Sequence, residues 1–199
     1  DSLCEIFESA ASLSPGKTKE SEHSLSPRFT DMSAQLKHTH KDEPFNDMER
    51  QPLLPNRLSQ FGPPIAWLDL DADGWDDLVI GAGRGGALAA FKNETGQSFT
   101  PIQKRLTRIP SARDYTSIIP WGANRNELII GLSNYEDGVA SGDAISLLNW
   151  NQDAVRSVVN ARKSSFGSLA AADFDQDGDL DLFVAGRVEP TRYPIAVDS

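Results

Sequence analysis

Two short acidic stretches have residue types and a spacing suited to binding a metal ion. Residues 69–77 read DLDADGWDD and residues 173–181 read DFDQDGDLD, so both follow the pattern D-x-D-x-D-G-x-x-D. Calcium takes about 6 to 8 oxygen ligands at roughly 2.3 to 2.6 Å, and alternate carboxylates on a tightly turning loop can converge on one point. These stretches, named here the first and second acidic loops, are each predicted to bind one Ca²⁺.

The predicted ligands occupy the same positions in both loops. Positions one, three and five supply carboxylate oxygens, position seven supplies its backbone carbonyl, and the carboxylate at position nine closes the shell. Glycine at position six lets the chain turn sharply without a Cβ penalty. The predicted metal ligands are Asp69, Asp71, Asp73, Trp75, Asp77, Asp173, Asp175, Asp177, Asp179 and Asp181.

These loops have two alternative interpretations. Asp and Gly are common turn residues, so a solvated acidic turn is one alternative; however, five carboxylates within nine residues repel one another unless a cation neutralises them. An EF-hand requires flanking helices and a Glu at position twelve. Position twelve is Ile80 in one loop and Val184 in the other, and short β-branched runs flank the loops. Each loop is therefore expected to join two strands.

The strands that follow the acidic loops point to a repeat. The loops lie 104 residues apart, and the run LIIG at 128–131 lies 50 residues after LVIG at 78–81. At this offset the middle copy keeps an acid only at position nine, as Glu127, and its first three aspartate positions carry Ile119, Trp121 and Ala123. The middle repeat is predicted to have the strands without a calcium site.

Each repeat has room for four short strands, which in the first repeat are expected around 65–70, 77–82, 87–92 and 98–103. About 50 residues of four-stranded sheet per repeat is typical of a β-propeller blade. The predicted fold is all-β: an incomplete propeller of about three four-stranded blades, the last truncated, with an irregular N-terminal segment. The blades are predicted at approximately 61–112, 113–163 and 164–199.

The chain resembles the FG-GAP or VCBS repeat proteins, whose calcium-loop blades also build the propeller of integrin α-subunits. The Phe-Gly pair that opens such repeats is present at 61–62 and 166–167, and the Gly-Ala-Pro part is partly kept at 81–83. Residues 45–59 and the Phe-Gly-Pro that follows at 61–63 are also similar to the lead-in of ASPIC/UnbV-type secreted proteins, relatives of cartilage acidic protein. The resemblance implies a lead-in segment at 28–60 and a partial propeller at 61–199.

Composition narrows the class of partner. The net charge is -10, and the two acidic loops hold ten aspartates without any Lys or Arg, which accounts for the excess. An acidic chain without a basic face argues against nucleic acid as a partner. No run approaches the ~20 apolar residues that would span a membrane. Residues 1–27 are mostly small and polar, as expected of a flexible linker or the end of a preceding domain.

Two further motifs suggest other chemistry. Residues 81–86 match G-x-G-x-x-G after a strand, a dinucleotide-binding pattern that requires a helix to follow; the segment before the next turn is too short for one, so a glycine turn between strands is expected. His38 and His40, with Asp42 and Glu43 nearby, form a possible transition-metal set that lacks a third ligand at a motif spacing.

The expected function is a non-enzymatic, calcium-stabilised module with a structural, binding or adhesion role. Its expected partners are an extracellular protein or glycan and the remaining blades of a parent protein. Calcium modules of modest affinity fill where calcium is millimolar, so an extracellular, cell-surface or periplasmic location is expected. The alternative is a scaffold or carbohydrate-binding part of a secreted polysaccharide-acting enzyme, because propellers serve both roles.

Overall fold

The computed structural model describes residues 31, 33–122 and 127–190. Contacts divide the chain into two units, Asp1–Asp31 and Met32–Ser199, and all but one of the described residues belong to the second. The linker predicted at 1–27 lies outside the described residues. Among the described helices, none has the length and apolar character needed to cross a membrane.

Strands make up nearly all of the regular secondary structure in the described residues. Two four-residue helices, α1 (Ser33–Leu36) and α2 (Asp47–Arg50), precede the sheets. The first sheet has the order β1 (Ile65–Leu68), β2 (Asp77–Ile80), β3 (Ala89–Glu94), β4 (Ser98–Pro101). The second has the order β5 (Asp114–Trp121), β6 (Glu127–Ser133), β7 (Asp143–Asn149), β8 (Ala154–Asn160), and the third pairs β9 (Ser165–Ala172) with β10 (Asp181–Val188). Three antiparallel sheets of four, four and two strands confirm the all-β prediction and are consistent with an incomplete propeller.

The core lies between consecutive sheets, and strand β6 shows why. Leu128 and Ile130 pack into one apolar cluster with side chains of the first sheet, whereas Ile129 packs into another with side chains of the third. Successive side chains of a strand point to opposite faces, so a strand covered on both faces is apolar at every position. The unbroken apolar run of β6 therefore marks a strand sandwiched between the first and third sheets.

Equivalent positions in the three sheets differ in exposure. The hairpins β1–β2, β5–β6 and β9–β10 are named here the inner hairpins, and β5–β6 is the middle one. Their equivalent cross-strand pairs are Val79 with Ala66, Ile129 with Ile119, and Phe183 with Ala170. Val79 and Ile129 are buried because the next sheet along the chain covers them, whereas Phe183 is 68% exposed. Within the described residues, the third sheet thus leaves open the face through which the first two sheets pack.

The middle hairpin corrects the predicted alignment of the repeats. Eight residues separate Leu68 from its partner Asp77, but only five separate Trp121 from Glu127. The offset of 50 holds for the second strand of each hairpin, whereas the first strand is shifted by three more residues. The prediction that placed Ile119 and Trp121 at loop positions is therefore wrong, because both lie in β5. Ala123 lies outside the described residues.

The glycine-rich segment 81–86 is a turn between β2 and β3, so a strand follows it where the dinucleotide-binding pattern requires a helix. Gly83 N–H donates to the carbonyl of Lys41 at 3.1 Å, and Glu43 N–H donates to the carbonyl of Arg84 at 3.0 Å. A Cβ at Gly83 would collide with the side chain of Asp42. The glycines therefore allow the lead-in backbone to approach the first sheet closely, which explains the motif without a nucleotide.

Candidate metal-binding loops

The first acidic loop joins β1 to β2 and gathers carboxylates from both ends of the turn. One carboxylate oxygen from each of Asp69, Asp71 and Asp77 lies within 4.8 Å of the others. Asp77 is fully buried at the start of β2, while Asp71 is exposed at the tip. The antiparallel pairing of β1 with β2 therefore holds the two ends of the loop together and brings position one beside position nine.

Hydrogen bonds from the loop backbone hold this turn. Asp69 accepts from Asp73 N–H at 3.1 Å through Oδ1 and from Gly74 N–H at 2.8 Å through Oδ2. Asp73 Oδ1 accepts from Trp75 N–H at 2.9 Å. Ala72 and Gly74 have φ angles of 62° and 89°, so the chain turns through two left-handed residues, of which only glycine adopts this conformation freely.

The second acidic loop, between β9 and β10, repeats the same bonds. Asp173 accepts from Asp177 N–H and Gly178 N–H, both at 3.1 Å, and Asp177 accepts from Asp179 N–H at 2.9 Å. Gln176 and Gly178, at the positions of Ala72 and Gly74, have φ angles of 62° and 95°. Two loops with different intervening residues thus adopt one conformation, which follows from their shared aspartates and glycine.

The structure brings together six of the ten predicted ligands, three per loop. The second group is Asp173, Asp175 and Asp181, again with one oxygen from each within 4.8 Å of the others. The position-five aspartates, Asp73 and Asp177, accept instead from the N–H groups of Trp75 and Asp179. Ligation by the position-five carboxylates and by the carbonyls of position seven stays a prediction.

Asp77 ties three strands of the first sheet together. Its Oδ2 accepts from Leu70 N–H at 3.0 Å and its Oδ1 accepts from Asn93 N–H of β3 at 2.8 Å. The Asn93 side chain continues the link, because its Nδ2 donates to the carbonyl of Asp76 at 3.0 Å and its Oδ1 accepts from Gly96 N–H at 2.7 Å. Burial raises the pKa of Asp77, although both backbone hydrogen bonds act in the opposite direction.

Asp181 is the exposed counterpart of Asp77 in the second loop. Its Oδ2 accepts from Phe174 N–H at 3.0 Å, the equivalent of the Leu70 bond. The bond to a third strand has no counterpart, because the described part of this sheet ends with β10. The loop conformation therefore does not depend on the third strand.

Lys92 of β3 contacts the first acidic loop, which the sequence pattern did not reveal. Its ammonium group contacts the carboxylate of Asp71 and lies 3.0 Å from Asp73 Oδ2. Hydrogen bonds to Asp71 and Asp73 raise the pKa of Lys92. The pKa of Asp73 is lowered, first by the N–H of Trp75 and then by Lys92. The position of Lys92 is set by the pairing of β3 with β2, and the loop motif contains no information about that pairing.

The histidine hypothesis gains no support from the structure. The His38 ring packs edge-on against Phe91 with centroids 5.9 Å apart, and burial lowers the pKa of His38. His40 is exposed. No histidine belongs to any group of possible metal ligands in the described part of the chain.

The donor sets of both loops fit calcium. Every side-chain donor is a carboxylate oxygen, and hard oxygen donors favour Ca²⁺ and Mg²⁺ over transition metals. The second group has no cation paired with it among the described residues. Like-charged carboxylates at this spacing repel each other unless a cation lies between them.

Comparison with known proteins agrees with this geometry. Residues 61–99 match the FG-GAP repeat family. The chain is similar to integrin alpha-3 of Mus musculus, with 36% identity over 81 residues, which cover 36% of this chain and 8% of the integrin. The chain therefore matches only a small part of that relative's length. No solved structure matches the chain. The family match over residues 61–99 and the integrin similarity support an FG-GAP, integrin-like repeat in this chain.

Proposed function

We propose that this chain is a calcium-binding, non-enzymatic propeller module that acts outside the cytosol, with a structural and binding role. The observation that carries the proposal is the shared conformation of the two acidic loops, each with three carboxylate oxygens within 4.8 Å of one another. The placement of the first three carboxylates is repeated 104 residues along the chain, although the residues between them differ.

The proposed role of the ion is charge neutralisation at a hairpin. When bound, calcium supplies positive charge to a cluster of carboxylates that would otherwise repel one another. The chain supplies the rest: Asp69 and Asp173 orient the turn through backbone N–H groups, and Asp77 links the first loop to β3. A stabilised hairpin keeps its two strands in register, so that their apolar side chains face the neighbouring sheet.

The proposed location and partner follow from the similarity to integrin alpha-3. An extracellular setting provides the millimolar calcium that modest-affinity modules require. The partner proposed is an extracellular protein or glycan, and further propeller blades are proposed to accompany the three described sheets.

Calcium binding is tested by comparing variants with matched controls. We expect Asp71→Ala and Asp175→Ala each to remove one bound ion in titration calorimetry, since each deletes an oxygen from a different loop. Asp76→Ala, in the same loop but outside the carboxylate group, and Glu127→Ala, in the middle hairpin, are expected to remove none. Glu127 instead accepts from the Asn149 side chain at 3.1 Å.

Calcium removal gives a second measurement. A ligand at 100 times its Kd stabilises the folded state by about 2.7 kcal/mol, so millimolar calcium is expected to raise the melting temperature relative to excess EGTA. The increase is expected to shrink in each loop variant. Equal melting temperatures with and without calcium would contradict the proposal.

A further inference from the structure

A third group of carboxylates lies at the opposite end of the inner hairpins from the acidic loops. Asp114 begins β5, Glu136 follows the end of β6, and Asp42 belongs to the lead-in segment that packs on the glycine turn. One oxygen from each lies within 4.8 Å of the others. This group, named here the upper cluster, shares no residue with the acidic loops and follows no D-x-D-x-D-G pattern.

The spacing of the upper cluster suits a single small cation. Two oxygens on opposite sides of an ion, each about 2.4 Å from it, are about 4.8 Å apart. The three elements that carry the carboxylates are far apart in sequence, so the chain brings them together only by folding. Such convergence places negative charges side by side and is unfavourable without compensation.

Glu136 provides an independent reason to expect a ligand. The residue is only 6% exposed, and its Oε1 has no hydrogen-bond partner among the described residues. Buried polar atoms nearly always have a partner, and an unsatisfied one costs about 1 to 3 kcal/mol. The unpaired oxygen belongs to the same carboxylate that joins Asp42 and Asp114 in the upper cluster. A cation bound there would supply the missing partner.

Arg84 offsets only part of the negative charge. Its Nε lies 2.9 Å from Glu136 Oε2 and 3.5 Å from Glu43 Oε2, so one guanidinium serves two carboxylates, and its backbone N–H donates to Asp114 at 2.8 Å. Burial, and then the charge of Asp114, raise the pKa of Glu136 to about 7 despite Arg84. Arg187, which also acts on Asp114, has its guanidinium over the Phe61 ring at 3.9 Å.

A cation can reach the upper cluster from a neighbouring cavity, but the space beside Glu136 is small. Asp42 and Asp114 line a cavity of about 470 Å³ that also borders the second and third sheets. The Glu136 oxygens themselves are buried, so a bulky organic cation entering from the cavity would not reach them. A bare metal ion is small enough to contact all three carboxylates.

We propose that Asp42, Asp114 and Glu136 bind a hard divalent cation, Ca²⁺ or Mg²⁺, at a site separate from the acidic loops. Carboxylate donors select these ions over transition metals. The ion links the lead-in segment to the second sheet, and Arg84 positions Glu136 from the side of the first sheet.

The test separates the upper cluster from the acidic loops. In an Asp71→Ala/Asp175→Ala background, titration calorimetry with CaCl₂ and separately with MgCl₂ is expected to detect one remaining ion. Adding Glu136→Gln is expected to remove it, while Glu43→Gln, which changes the other carboxylate beside Arg84, is expected to leave it. Retention of the ion after both Glu136→Gln and Asp114→Asn, or no remaining ion at millimolar concentration, would overturn the proposal.

A second measurement covers the case in which the background variant fails to fold. In the otherwise unchanged chain, Glu136→Gln is expected to lower the number of bound ions by one. In excess EGTA this variant is expected to melt no lower than the parent, because it removes a buried charge. An unchanged ion count would overturn the proposal whether or not the acidic loops bind calcium.

Discussion

Lys92 gives the first acidic loop a positive charge that the described part of the second loop lacks. Its ammonium group contacts Asp71 and Asp73, while no described Lys or Arg forms an ion pair with residues 173–181. A metal ion and the ammonium group neutralise the same carboxylates, so each reduces the gain from the other. The two loops therefore share a conformation and differ in how their charge is compensated without metal.

Replacing Lys92 should strengthen calcium binding at the first loop alone. We expect Lys92→Met to raise that affinity roughly twofold to fivefold, because exposed ion pairs contribute modest energies. Titration calorimetry in an Asp175→Ala background would measure it, with the exposed Lys163→Met as the control. The same affinity for both variants would show that the Lys92 contacts do not compete with calcium.

At the scale of elements, the main contribution of Asp77 is to link the strands of the first sheet. Its two oxygens accept backbone N–H groups from either side of β2, from Leu70 after β1 and from Asn93 in β3. Both donors lose their partner if the carboxylate is removed, and Asp77 itself is buried. The residue therefore contributes to stability whether or not a metal is bound.

Asp77→Ala should destabilise the fold even without calcium. We expect a loss on the order of 2 to 4 kcal/mol in the free energy of unfolding, measured by urea denaturation in excess EGTA. The exposed neighbour offers a control: Asp76→Ala keeps the backbone carbonyl that binds Asn93, so a change within about 0.5 kcal/mol is expected. Equal losses for the two variants would contradict this role.

The elements that the sequence predicted best are those with local signals. In the first repeat the strands were expected around 77–82 and 98–103 and are observed at Asp77–Ile80 and Ser98–Pro101. The apolar run of β6 was recognised because both of its faces are buried. The middle hairpin was misaligned because an offset measured on one strand does not reveal a shorter loop before it.

The features that the sequence did not predict depend on tertiary contacts. Lys92 reaches the first loop only through the register of β3, and Glu136 meets Asp42 and Asp114 only after the lead-in and the second sheet have packed. No spacing rule joins residues so far apart in the chain. The D-x-D-x-D-G pattern therefore reveals the loops but neither the counter-charge of Lys92 nor the upper cluster.

At the scale of the whole molecule, the third sheet exposes side chains that the first two bury. Phe174 and Phe183 are 88% and 68% exposed, whereas their counterparts in the first sheet, Leu70 and Val79, are buried against the second sheet. Large exposed apolar patches commonly mark contact surfaces. Among the described sheets, the third thus presents an exposed apolar face.

The exposed face that carries Phe183 should favour self-association of the parent chain, and Phe183→Ser should reduce it without loss of fold. We expect a smaller associated fraction in sedimentation velocity and a melting temperature close to that of the parent, because Phe183 is 68% exposed. At the equivalent buried position, Val79→Ser is expected to cost on the order of 2 to 4 kcal/mol. A comparable loss of stability for both variants would show that the face carrying Phe183 is covered in solution.

The burial of Asn93 also bears on covalent modification. Asn93, Glu94 and Thr95 form an acceptor sequence for N-linked glycosylation, in which the sugar is attached to the asparagine side-chain nitrogen. That nitrogen donates to the carbonyl of Asp76, and the residue is 9% exposed. The low exposure of Asn93 therefore hinders attachment of a sugar to this nitrogen once the sheet has folded. In a secretory pathway, the order of folding and glycosyl transfer would decide whether Asn93 is modified.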